Sequence, residues 1–130
     1  MVSTISALTV FAGLPVRDLA AATSWYSAVF GRPPDAHPAP GIADYYLTAE
    51  RVPERGTLQL REDKARAGGG LVTINVEVLT GIRANLRALD VSFEPHTLPI
   101  DAVTVTSVTV GTFEDPDGNA ITLVEPHLRA

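Results

Sequence analysis

The sequence predicts an α+β protein in which a strand, a helix and further strands follow one another in the same order twice. Three observations carry this. Two runs rich in Val, Thr and Leu, residues 5–14 and 71–78, each precede a segment with apolar residues at helical spacing. A charged and then glycine-rich stretch, residues 63–70, separates the halves. The second half ends on Asp115-Pro116-Asp117-Gly118-Asn119 followed by a β-branched and apolar run, the pattern of a tight turn feeding a last strand.

Each element has a local cause. Residues 5–14 read as a strand that Pro15 ends. Asp18 suits an N-cap, and residues 19–30 form an Ala-rich helix closed by Gly31, with Leu19, Ala22, Tyr26, Val29 and Phe30 on one face. Pro33, Pro34, Pro38 and Pro40 leave room only for a short strand before two more over residues 45–49 and 57–61. In the second half, residues 71–78 alternate as a strand. Thr80 suits the N-cap of a helix over residues 81–89, with Ile82, Leu86 and Leu89 on its apolar face. A short strand over 91–94, turns at Pro95 and Pro99, a long Val/Thr strand over 102–113 and a last strand over 120–125 complete the pattern. One domain over residues 1–130 is expected, built of two modules, 1–66 and 67–130.

Composition narrows the function. The 130 residues are 45% hydrophobic and 19% charged, enough for one real core. A net charge of −5, with Lys64 the only lysine and the arginines scattered, argues against a nucleic-acid partner, because phosphate binding needs clustered cations. Cysteine is absent, which excludes disulfides, thiolate metal sites and cysteine nucleophiles. No apolar run approaches the ~20 residues that span a bilayer, and no basic segment precedes an apolar core at the start. No membrane partner and a cytoplasmic location are therefore expected. There is no Ser-His-Asp arrangement, phosphate-cradling glycine loop or catalytic carboxylate pair, so no catalytic residue is assigned. Asp115, Asp117 and Asn119 have the spacing of a calcium loop, but Ala120 stands where that loop needs Gly and Pro126 where it needs Glu.

The run from Phe113 to Pro126 resembles the closing hairpin of the vicinal oxygen chelate superfamily, which includes glyoxalases, extradiol dioxygenases and bleomycin-resistance proteins. The start of the chain resembles the same family. Phe11 to Leu19 looks like its opening strand and Asp-Leu helix start, followed by the aromatic pair Trp25-Tyr26 and the terminal Phe30-Gly31. The resemblance covers nearly the whole chain. It implies two βαβββ modules forming a cupped mixed sheet, with helices on the convex side and a pocket in the cup.

In the metalloenzymes of that family, a module's first strand supplies His or Gln and its last strand supplies Glu. The matching positions here are Phe11, Gln59, Thr73 and Thr122. Phe has no donor atom, a threonine hydroxyl is a poor ligand, and one neutral amide cannot hold a divalent ion in water. His37 and His96 fall in Pro-rich loops and His127 follows the last strand. Only a one-residue change of register would bring in Glu77 or Glu125. No metal or other cofactor is expected.

Strand alternation turns Ile74, Val76 and Leu58 toward the helices and Phe11, Gln59, Arg61, Thr73, Asn75, Glu77 and Thr122 toward the cup. Tyr45 or Tyr46 adds aromatic material. A mixed apolar and hydrogen-bonding surface suits a small organic molecule, and the candidate ligand-binding residues are Phe11, Tyr46, Gln59, Arg61, Thr73, Asn75, Glu77 and Thr122. Trp25, on a helix at packing spacing, reads as core or interface. The function the resemblance implies is a metal-free, homodimeric binding protein that sequesters an antibiotic or aromatic metabolite, an acidic groove suiting a cationic one. The alternatives are a metal-dependent lyase, isomerase or dioxygenase of the same superfamily, and a dimeric structural or regulatory domain without a ligand.

Overall fold

Seven strands and two helices make up residues 5–129, the part of the chain that the computed structural model describes; the outermost ends of the expected domain lie outside the described residues. The order is β1 (Phe11–Val16), α1 (Leu19–Phe30), β2 (Ile42–Tyr46), a 3₁₀ turn (Pro53–Arg55), β3 (Thr57–Glu62), β4 (Leu71–Asn75), α2 (Thr80–Ala88), β5 (His96–Pro99), β6 (Val105–Glu114) and β7 (Ala120–Leu128). The strands form two mixed sheets, β1-β3-β2 and β4-β7-β6-β5. In each, the strand before the helix pairs in parallel with the last strand after it: β1 with β3, β4 with β7. The remaining pairs are antiparallel.

The cause of α1 is legible in its caps. The Asp18 carboxylate accepts the Ala21 N–H at 3.0 Å, and Gly31 closes the helix at φ +75°, a conformation that costs glycine nothing. Glu62 accepts the Leu19 N–H at 2.9 Å and so ties the helix start to the end of β3. One core joins both sheets and both helices: Leu14, Val16, Tyr26, Val29, Leu58, Leu60, Leu86, Ile121 and Leu123 are fully buried together. Burying each such side chain contributes roughly 1.5–3 kcal/mol. The alternate residues of the strands face away from the helices, on an open face.

Several boundaries differ from expectation, each for a physical reason. Residues 5–10 lie outside β1, and Pro15 sits inside the strand rather than ending it; β1 is an edge strand, where a missing N–H is tolerated. The proline-rich stretch contributes only an isolated bridge between Ala36 and Asp44. Thr80 is the first helical residue of α2, not its cap. Leu79 holds the cap position without a side-chain bond of its own, and its N–H is received by the Glu125 carboxylate at 2.9 Å. Residues 91–94 form no strand. Phe93 instead turns inward, edge-on to Phe113 at 5.9 Å, over Gly111, where a Cβ would lie 2.7 Å from its ring. The strand forms later, at His96–Pro99.

Candidate functional site

β1 and β4 lie side by side along a seam between the two sheets, running in opposite directions. Pro15 meets the segment that precedes β4, and the start of β1 meets the end of β4. The two ends of this seam are built differently.

The first end is closed by the Asp115–Asn119 turn. Asn119 is fully buried. Its amide donates to the Pro15 carbonyl at 2.7 Å and to Asp115 Oδ2 at 2.8 Å, and its Oδ1 accepts the Gly70 N–H at 2.7 Å. Asp115 also accepts the Asp117 and Asn119 backbone N–H groups at 3.0 and 2.9 Å and the Tyr26 hydroxyl at 2.7 Å. Burial first, and then this bond to Asp115, push the Tyr26 phenol far above an ordinary tyrosine. The glycines at 68 and 70 are required by close approach. A Cβ on Gly68 would sit 2.1 Å from the Asp117 carbonyl, and one on Gly70 would sit 2.6 Å from Leu14. Residues 63–70 are thus a fitted turn rather than a loose linker. This signature sequence does structural work: every polar atom of Asp115 and Asn119 has a partner inside the protein.

The second end is open. Between Val10 and Ala12, the segment 47–58 and β4 with its extension to Glu77 lies a cavity of about 920 Å³. Leu47, Val72, Ile74 and Val76 supply apolar wall; Thr57, Thr73, Asn75 and Glu77 supply hydrogen-bonding groups. Glu50 and Arg55 add charge. The Glu50 carboxyl is held below the ordinary value, first by its own backbone amide and then by the Thr48 hydroxyl. That hydroxyl oxygen is itself buried, so it holds Glu50 rather than facing the cavity. Two carboxylates against one guanidinium make the cavity net acidic.

Of the sequence-predicted residues, Thr73, Asn75 and Glu77 line this cavity. Thr122 stands opposite Thr73 on β7 and shares a 2.7 Å hydrogen bond with Thr112, so three threonines cross the open face of the second sheet in one row. Phe11 pairs with Thr57 beside the cavity and is 38% exposed. Gln59, Arg61 and Tyr46 lie elsewhere. The Gln59 amide donates to the buried Asp44 at 2.9 Å, and Arg61 is exposed beside Pro15 and Ile42. Tyr46 takes part in the loop network of Asp35, whose carboxylate accepts the Tyr46 N–H at 2.7 Å. Sequence reasoning missed Glu50, Arg55 and Thr48. They sit in the irregular segment between β2 and β3, where strand alternation has nothing to say.

No protein-family model matches the chain, and no curated protein matches it. Solved structures do. A glyoxalase/bleomycin resistance protein from Catenulispora acidiphila DSM 44928 is 28% identical, with a TM-score of 0.73 over 92% of this chain and 98% of that one. The chain has the glyoxalase/bleomycin resistance fold of the vicinal oxygen chelate superfamily. TnmS3, an antibiotic binding protein from Streptomyces sp. CB03234, shares that fold at 20% identity, with a TM-score of 0.66 over 95% of this chain and 98% of its own. The bleomycin resistance determinant encoded on the transposon Tn5 does so at 15% identity, with a TM-score of 0.64 over 90% of this chain and 96% of its own.

The metal-binding positions of this superfamily can be tested against the residues present. Phe11 offers no donor, Gln59 donates its amide N–H to Asp44 and has one neutral oxygen to offer, and Thr73 and Thr122 have only hydroxyls, that of Thr122 shared with Thr112. Among the described residues, no three His, Cys, Asp or Glu side chains come together as a ligand group. This donor set does not fit a divalent ion. Among the described residues, no helix is long and apolar enough to cross a membrane.

Proposed function

We propose that this chain is a metal-free binding protein that sequesters a small organic molecule in the seam cavity without transforming it, and that it works as a homodimer in the cytoplasm. The observation that carries this is the cavity of about 920 Å³, whose apolar walls bear Thr73, Asn75 and Glu77. Its volume lies in the range of sites that hold drug-sized ligands, roughly 300–1,000 Å³. The antibiotic binding and bleomycin resistance proteins among the structural neighbours support a ligand that is an antibiotic or an aromatic metabolite. The acidic balance of the lining supports a cationic one. The dimer is supported by apolar side chains left bare near the cavity: Val10 at 79% exposed and Leu71 at 83%.

The decisive experiment is the metal content of the purified protein before and after incubation with nickel, zinc, manganese and iron(II), with melting curves in parallel. Absence of metal and unchanged melting support the proposal. One equivalent per chain with a clear rise in melting temperature overturns it in favour of a metal-dependent enzyme. A melting-shift screen of cationic aromatic molecules then supplies a ligand. Against that ligand, Glu77→Gln weakens binding several-fold; an unchanged dissociation constant removes Glu77 from the site. Light scattering after size exclusion reads the dimer.

A further inference from the structure

We propose a second binding groove, at the end of β6, that takes a small aromatic amine. It shares no lining residue with the seam cavity. Trp25 on α1 makes its apolar wall, backed by the buried ring of Phe113 on β6 at 6.2 Å between centroids. Trp25 is half-buried and stands edge-on to Tyr26 at 4.8 Å, which holds the indole in place while part of it faces the hollow. The hollow measures about 450 Å³ and is also bordered by Val91 and Ser92.

The groove exists because β5 is short. β5 pairs with β6 only from Ser107 to Val110, so the same edge of β6 runs on from Gly111 to Glu114 without a strand beside it. Phe93 covers Gly111 and stops there. The unformed strand at residues 91–94 would have filled this edge; its failure to pair leaves the space.

Charge complementarity selects the occupant. Glu114 and Asp90 border the groove, both exposed, and neither takes part in an ion pair among the described residues. No basic side chain lines it. Asp115 is buried with both oxygens taken by Tyr26, Asn119 and backbone amides. Asp90 also borders a neighbouring hollow that holds Arg83 and Arg87, so Glu114 carries most of the uncompensated charge. A ring against the Trp25 indole with a protonated amine directed at Glu114 satisfies both halves of the site. A neutral aromatic forgoes the charge, and an anion is repelled.

Trp25 is the only tryptophan in the chain, so its fluorescence reports on the groove directly. The experiment titrates the intact protein with benzylamine and, separately, with benzyl alcohol. The expected result is a saturable fluorescence change with benzylamine, about twofold to fivefold weaker in Glu114→Gln and about twofold to fivefold weaker for benzyl alcohol. Glu77→Gln, which alters the seam cavity, leaves it unchanged. A non-saturable response, equal affinity for the alcohol, or a response lost in Glu77→Gln and retained in Glu114→Gln overturns the groove. Because Glu114 is exposed and the change is isosteric, melting curves of the variant are expected to match the parent.

Discussion

The two ends of one seam show how differently the same fold can spend its residues. At the closed end, the buried Asp115 and Asn119 lock Pro15 and Gly70 together, and every polar atom of those two side chains is satisfied from within. At the open end, Val10 and Ala12 stand apart from Asn75 and Glu77 around a cavity of about 920 Å³. The closed end holds the motif that makes the chain recognisable, and it has nothing left to offer a ligand. The open end holds the groups that can bind, and no motif marks them. Recognition of the fold and recognition of the site therefore draw on separate residues.

The largest effect that would break this comparison lies at the closed end. Asn119→Ala removes one acceptor and both bonds of a buried amide, leaving the Gly70 N–H without its partner and the Pro15 carbonyl with only the 3.5 Å bond from the Gly68 N–H. At roughly 1–3 kcal/mol for each buried group left unsatisfied, a loss of about 3–5 kcal/mol is expected. That is a fall of roughly 10–20 °C in melting temperature for a chain of this size. Thermal unfolding reads it, and a fall under about 3 °C would mean the turn is not what holds the seam shut.

Tyr26→Phe is the next largest, about 1–2 kcal/mol, because it removes a single buried donor from Asp115. It also sharpens the comparison through pH. The folded Tyr26 pKa is raised above the unfolded value of 10.0, so the folded state holds its proton longer. The linked stability is fully present below pH 10.0 and is lost as pH rises above it. Denaturant melts from pH 8 to 11 are expected to fall more steeply above about pH 10 in the parent than in Tyr26→Phe. Parallel curves would remove Tyr26 from the alkaline transition.

Asp35 gives a smaller effect on the acid side. Burial alone would raise its pKa, but the Tyr46 amide, Arg51 and Arg32 outweigh burial and hold it below the ordinary 3.8. Its contribution is present above pH 3.8 and is lost as pH falls below it. Asp35→Asn is expected to flatten the acid limb of the melting profile while leaving the alkaline limb alone. An acid limb identical to the parent's would show that the loop network adds no stability.

These cases also show what could be read beforehand. The α+β pattern, the caps Asp18 and Gly31, and the helical faces follow from local chemistry, and the structure has them. Positions that depend on tertiary fit were not legible. The failure of residues 91–94 to pair follows from Phe93 finding a place over Gly111, a contact between residues far apart in sequence. Pro15 reads as a strand end in isolation and is accommodated because β1 happens to be an edge. In the site, period-two alternation set Thr73, Asn75 and Glu77 apart from Ile74 and Val76, whereas all five line the cavity. It could not locate Glu50 or Arg55, which lie in irregular chain, nor show that the Gln59 amide is taken by Asp44.

The smallest stability effect is expected at the open end, and it is the most informative about function. Asn75→Ala removes an exposed side chain for which no hydrogen bond is seen, at a position on the last residue of β4. Surface substitutions of that kind change stability by less than about 0.5 kcal/mol. If the cavity binds through Asn75, the same change weakens a captured ligand about fivefold to tenfold, one hydrogen bond's worth. Binding calorimetry beside a melting curve separates the two quantities. A ligand effect without a stability effect is the opposite of what Asn119→Ala should show, and that pair of outcomes would establish that the seam is divided between an end that folds and an end that binds. Equal losses of stability at both positions would collapse the distinction, and the open end would then be a packing defect rather than a site.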